Sequence, residues 1–153
     1  MAEEPLEVLV VEDNPGDVRL IEAGFDETRI ERSLTVVRDG AAALDYLHRR
    51  NGYESADRPD LVLLDLNIPK KTGRDVLERV RGDSGISSIP VVVLTGSRAD
   101  NHVVETHDLG ADGYFVKPAD PLEFISLVET VWNSLVSSGT VPPGKYADLD
   151  RAR

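Results

Sequence analysis

The chain has no cysteine among its 153 residues, so disulfides and thiolate metal sites are excluded. Lysine is almost as scarce, with only Lys70, Lys71, Lys117 and Lys145 against thirteen arginines. No apolar run approaches the ~20 residues that a membrane-spanning helix needs. The start, MAEEPLE, is acidic where a secretory signal would be basic. These absences point to a cytoplasmic protein with no membrane partner. The net charge of -11 argues against nucleic acid as a partner, because phosphate backbones are held by Lys and Arg. An acid-rich, lysine-poor composition is also that of proteins from a high-salt cytoplasm. A halophilic source is therefore expected, with unfolding at low salt and recovery in molar KCl as its signature.

What is present suits one compact domain: the length fits a single unit, and an apolar fraction of 41% is enough for one core. The pattern alternates strands with helices. Leu6 to Val11 is a near-continuous apolar run, as expected of a strand buried on both faces. Asn14-Pro15-Gly16-Asp17 breaks it, and Val18, Ile21 and Phe25 then recur at helical spacing. Leu34 to Val37 reads as a short strand, Asp39-Gly40 as a turn, and Ala41 to Leu47 as a second helix. Residues 49–59 are polar and read as a surface loop. Leu61 to Leu64 is a third strand, and Val76, Leu77 and Val80 mark a third helix. Val91 to Leu94 is a fourth strand, followed by a helix over about 99–109 that Gly110 is placed to end. Tyr114 to Val116 is a fifth strand, and a last helix runs from about Pro121 to Val136. Five such units predict an α/β fold, a doubly wound parallel sheet in the flavodoxin-like order 2-1-3-4-5 with helices on both faces. Residues 138–153 read as a short polar tail with no effector domain, leaving 1–137 as the functional unit.

Four apolar runs end on chemistry. The first ends at Glu12 and Asp13, the third at Asp65, the fourth at Thr95 and the fifth at Lys117-Pro118. In a parallel sheet the carboxyl ends of the strands share one edge, where ligands bind. Three carboxylates, a hydroxyl and an ammonium would then line one pocket. Asp65 is followed by Leu-Asn-Ile-Pro and no immediate helix, so capping explains it poorly. A carboxylate there can attack a phosphoryl group and form an acyl phosphate. Hard cations such as Mg²⁺ take oxygen ligands from one or two carboxylates plus a phosphate. Glu12, Asp13, Asp65 and the backbone carbonyl of Asn67 fit that count. Gly96 after Thr95 lets a phosphoryl group approach the backbone. Lys117 is placed to neutralise Asp65 and a phosphate oxygen in turn, and Pro118 permits a cis bond.

The segments VLVVEDN, DLVLLDLNIPKKTG, VVVLTGS and GADGYFVKPAD resemble the receiver domain of two-component response regulators, over about Leu6 to Val136. More narrowly, LNIPKKTG and the loop at 49–59 resemble the small single-domain regulators that partner phytochrome-like histidine kinases. The resemblance implies Asp65 as phosphoacceptor, Asp13 as direct metal ligand with Glu12 beside it, and Asn67 as carbonyl ligand. It implies Thr95 and Lys117 as the pair that contacts the phosphoryl group, and Tyr114 as the aromatic switch residue. Mg²⁺ is the implied cofactor. The implied phosphodonor is a sensor histidine kinase or phosphotransfer protein, docking on Pro15 to Ile21 and the loops around Lys70 and Pro118. The protein is then a switch and no enzyme in the ordinary sense, although Asn67 and Ser97 are placed to tune its dephosphorylation. Glu12 where Asp is commoner is a mild variation. The last helix carries Leu122, Phe124, Ile125, Leu127, Val128, Val131, Trp132 and Leu135, a stripe wider than one core face needs. With Val103, Val104 and Tyr114 it reads as a homodimer face built from the fourth predicted helix, the fifth strand and the last helix. His48, His102 and His107 lie away from strand ends and read as surface or packing residues.

Rival readings fit less well. A phosphatase with a strand-end Asp nucleophile uses a second Asp two residues on as general acid, and Asn67 stands there. A flavin-binding module needs a hydroxyl- and Gly-rich phosphate loop after the first strand, whereas Glu12-Asp13 repels phosphate. A pseudo-receiver would not need the full set of Glu12, Asp13, Asp65, Thr95 and Lys117.

Overall fold

A computed structural model describes residues 5–96 and 110–139. Five parallel strands form one sheet in the order β2-β1-β3-β4-β5, as the alternating pattern predicts. They are β1 (Leu6–Val11), β2 (Arg32–Val37), β3 (Leu61–Leu64), β4 (Val91–Thr95) and β5 (Gly113–Val116). The helices are α1 (Pro15–Thr28), α2 (Gly40–Leu47), α3 (Gly73–Gly82) and α4 (Pro121–Ser137). The helix expected over 99–109 lies outside the described residues, as do Ser97, His102, Val103, Val104, His107 and most of the polar tail.

Alternation along the strands divides the core in two. Leu6, Val8 and Val10 of β1 face α1 and α4, in a cluster with Phe25, Phe124 and Trp132. Leu9 and Val11 face the other way, onto α2 and α3, in a cluster with Leu44, Val76 and Leu77. β1, β3 and β4 are buried along almost their whole length, which explains their unbroken apolar runs. β2 is an edge strand and starts two residues before its apolar run, at Arg32 and Ser33, because pairing with Leu6 and Glu7 extends it.

Each helix start is specified locally. Asn14 caps α1 by accepting from the N–H groups of Gly16 and Asp17, with Pro15 at the first helical position. Thr72 and Asp75 form a reciprocal capping box at α3. Asp39, read as a turn residue from sequence, is the cap of α2 and accepts from Ala42 N–H at 2.7 Å. Gly110 has φ +92, a left-handed conformation that favours glycine. The polar loop at 49–59 is pinned to the domain by Tyr53, whose ring meets Tyr46 edge-on at 5.4 Å. The Lys117–Pro118 bond is trans.

Candidate functional site

Three of the residues singled out above sit one position past a strand, and each extends the ladder by one hydrogen bond. Glu12 N–H donates to Val37 O at 3.0 Å, Asp65 N–H to Val11 O at 3.1 Å and Lys117 N–H to Thr95 O at 2.8 Å. The sheet therefore fixes these backbones and aims their side chains over its carboxyl edge. Thr95 is the last residue of β4 and fully buried.

Lys117 is the centre of the cluster. Its Nζ donates to Glu12 Oε1 at 2.6 Å, to Asp17 Oδ2 at 2.8 Å and to Asp65 Oδ2 at 2.8 Å. An ammonium has three N–H donors, so all three are used. The lysine side chain is 10% exposed, and those of Glu12 and Asp65 are 3% and 7% exposed. Burial alone would lower the lysine pKa, but the hydrogen bonds it donates to Asp17, Asp65 and Glu12 outweigh it and raise the value above the ordinary one. At Glu12 burial is the larger effect and pushes the carboxyl up to about 7, against the pull of Lys117. Its second oxygen accepts from Asn14 N–H at 3.2 Å, tying the pocket to the cap of α1.

Asp65 is also held from the loop that follows it. Its Oδ1 accepts from Asn67 N–H at 2.9 Å, and the Asn67 side-chain amide reaches Thr95 Oγ1 at 3.4 Å. Gly73, at the start of α3, lies so close to this loop that a Cβ there would stand 2.5 Å from Asp65 O. Gly40 does the same from the other side, where a Cβ would stand 2.0 Å from Lys71 O. Only residues without a side chain allow α2 and α3 to press on the loop in this way.

One carboxylate oxygen from each of Glu12, Asp13 and Asp65 lies within 4.8 Å of the others. Asp13 is exposed, while its two neighbours are buried. An all-oxygen, acidic donor set with one open side fits a hard divalent cation. Tyr114, three residues before Lys117, is half-buried on β5, and burial raises its hydroxyl pKa. His48 stands apart, bridging Leu44 O at 3.0 Å and Asp83 Oδ2 at 2.8 Å. The described residues thus bring together Glu12, Asp13, Asp65, Asn67, Thr95 and Lys117, with Tyr114 on the neighbouring strand. Sequence reasoning missed Asp17 as a member. Its place in the first turn of α1, beside the acidic pair, was the available signal.

Comparison with known proteins identifies the family. Residues 8–129 match the family described as the response regulator receiver domain. Response regulator Rcp1 of Synechocystis sp. is 35% identical over 138 residues, covering 90% of this chain and 94% of that protein. A probable methanogenesis regulatory protein, FilR2 of Methanothrix harundinacea, is 38% identical over 130 residues, covering 85% and 81%. Among solved structures, the phosphorylated cyanobacterial phytochrome response regulator RcpA superposes with a TM-score of 0.85 at 36% identity, covering 91% of this chain and 99% of that one. The Mn²⁺-bound form of Rcp1 gives 0.84 at 35% identity, covering 90% and 99%. The sheet order, the acidic pocket at its carboxyl edge and these likenesses agree: the chain belongs to the family of response regulator receiver domains.

Proposed function

We propose that Asp65 is the phosphoacceptor of this regulator and that a sensor histidine kinase or phosphotransfer protein is the donor. The observation that carries the reading is the contact of Asp65 Oδ2 with Lys117 Nζ at 2.8 Å, in a pocket that also holds Glu12 and Asp13. In the transfer an Asp65 oxygen forms the new P–O bond. The P–N bond of the donor phosphohistidine breaks, and its electron pair leaves with the imidazole nitrogen. Positioning and charge neutralisation are most of what such a transfer requires. Lys117 donates to a phosphoryl oxygen, and the Thr95 hydroxyl donates to another. Asp13, Asp65 and the Asn67 carbonyl would hold Mg²⁺, with Glu12 beside them. When bound, Mg²⁺ supplies the charge that lets an anionic nucleophile and an anionic phosphoryl group meet.

Thr95 moving toward the new oxygens would vacate space for Tyr114, and the surface over β5 and α4 would change shape. Two kinds of partner then follow. The donor docks where Pro15 to Ile21 and the loops at Lys70 and Pro118 surround the pocket. A second copy of the chain docks on the face of β5 and α4, where Leu122 is 73% exposed. Residues 1–137 form the receiver unit, and the setting is a cytoplasm of high salt, in keeping with the acid-rich, lysine-poor composition.

Intact mass after treatment with acetyl phosphate and Mg²⁺ tests the reading. The expected result is a labile gain of one phosphoryl group, absent without Mg²⁺ and absent in Asp65→Asn, which keeps its fold. A stable Asp65→Asn protein that still gains the group would overturn it.

A further inference from the structure

Lys117 is expected to serve Asp65, yet two of its three donors are committed elsewhere. One goes to Glu12, at the end of β1, the strand that neighbours the one carrying Asp65. The other goes to Asp17 Oδ2 at 2.8 Å, one hundred residues distant in sequence. Asp17 does not arrive there by chance rotation of a surface side chain. Its backbone N–H donates to the Asn14 cap at 3.2 Å, and Asn14 N–H in turn donates to Glu12. The first turn of α1 is therefore fixed to the pocket before the Asp17 carboxylate reaches the lysine. That carboxylate is 24% exposed, so it approaches the ammonium from the solvent side, whereas Glu12, Asp65 and Lys117 are nearly dry.

A lysine side chain has four rotatable bonds and a compact charge that three rotating donors surround. Three fixed acceptors hold Nζ in place on this flexible stem; with one removed, the ammonium can shift toward the remaining pair. We propose that Asp17 is a positioning residue for phosphoryl transfer: by taking the third N–H of Lys117 it fixes the direction of the donor that faces Asp65 and, after transfer, the phosphoryl oxygen. The proposal rests on the reading of Asp65 as phosphoacceptor. Asp17 has a simpler duty as well. A negative charge in the first turn of a helix interacts favourably with its positive end. Any test must separate the two duties.

Asp17→Asn and Asp17→Ala do so. Both lose the charge at the helix start, so both should lose the same small amount of thermal stability. Only Asn keeps an oxygen able to accept from Lys117. The rate at which each protein gains a phosphoryl group from acetyl phosphate is followed by mass at saturating Mg²⁺. In that reaction the P–O bond to acetate breaks as the Asp65 P–O bond forms. Asp17→Ala is expected to be slower by about tenfold or more, because a misdirected group costs rate steeply, with Asp17→Asn staying within about threefold of the wild type. An Ala variant as fast as the wild type overturns the proposal, and so does equal slowing of Ala and Asn, which would assign the effect to charge. If the wild type gains no phosphoryl group, it is the phosphoacceptor reading that fails.

Discussion

Glu12 offers a direct measure of how the pocket is balanced. Its carboxyl is almost fully buried, and burial lifts its pKa from 4.5 to about 7 despite the contact with Lys117. A folded-state value above the unfolded one means a stability contribution that is complete below pH 4.5 and is lost as pH rises toward 7. At about 1.4 kcal/mol per pH unit, the gap corresponds to a fall of about 3 kcal/mol in unfolding free energy across that window. The other groups with shifted values do not change their contribution across this window. Lys117 is also raised, but its contribution is complete below 10.5 and so is constant here. Asp45, Asp75 and Asp83 are lowered from 3.8 by their hydrogen bonds, so their contributions are complete above that pH. The perturbation is Glu12→Gln, which keeps an oxygen for Lys117 and removes the titration. Urea unfolding in EDTA at steps between pH 4.5 and 7.5 is the assay. The wild type should lose stability as pH rises, and the variant should lack the fall that Glu12 causes, offset by whatever the altered contact to Asn14 N–H costs. A variant that keeps the wild-type slope would show that burial of Glu12 is not its source.

Two further outcomes follow from the structure. Arg81 joins four acceptors: Gly110 O at 2.8 Å, Ser87 O at 3.0 Å, Ile89 O at 2.9 Å and Asp112 Oδ2 at 2.8 Å. Arg81→Ala should destabilise by about 2–4 kcal/mol in urea unfolding, since charged hydrogen bonds are lost and carbonyls are left unpaired. Arg81→Lys should recover little, because a point charge cannot replace the fork. On the β5–α4 face, sedimentation with beryllofluoride should show a shift from the 16.8 kDa monomer toward a dimer. Leu122→Asp should abolish the shift, and a monomer under both conditions would sink the homodimer.

The fold and most of the pocket are legible because they rest on short-range regularities. Apolar runs that stop abruptly mark strand ends, and the residue just past each stop is the one the sheet aims outward. Glu12, Asp65 and Lys117 obey this rule with the same ladder bond. The start of β2 escapes it, because Arg32 and Ser33 lie on an edge where pairing, and not burial, makes the strand. Asp39-Gly40 reads as a turn, since the reason for the glycine is a backbone oxygen thirty-one residues away in sequence, at Lys71.

Asp17 is the instructive omission. An acidic residue in a first helical turn already has a sufficient local explanation in the charge at the helix end. Nothing in periodicity or spacing asks for a second one. A buried lysine among several carboxylates is a different kind of problem from a strand end. Burial demands that its charge be compensated but does not say by whom. The partners are chosen by how rigid elements are aimed, and here the aim of α1 is set by Asn14, which caps the helix and binds Glu12 together. The residue that decides the lysine's third partner is thus Asn14, which acts through Glu12 and the first turn of α1, and only the assembled edge of the sheet reveals it.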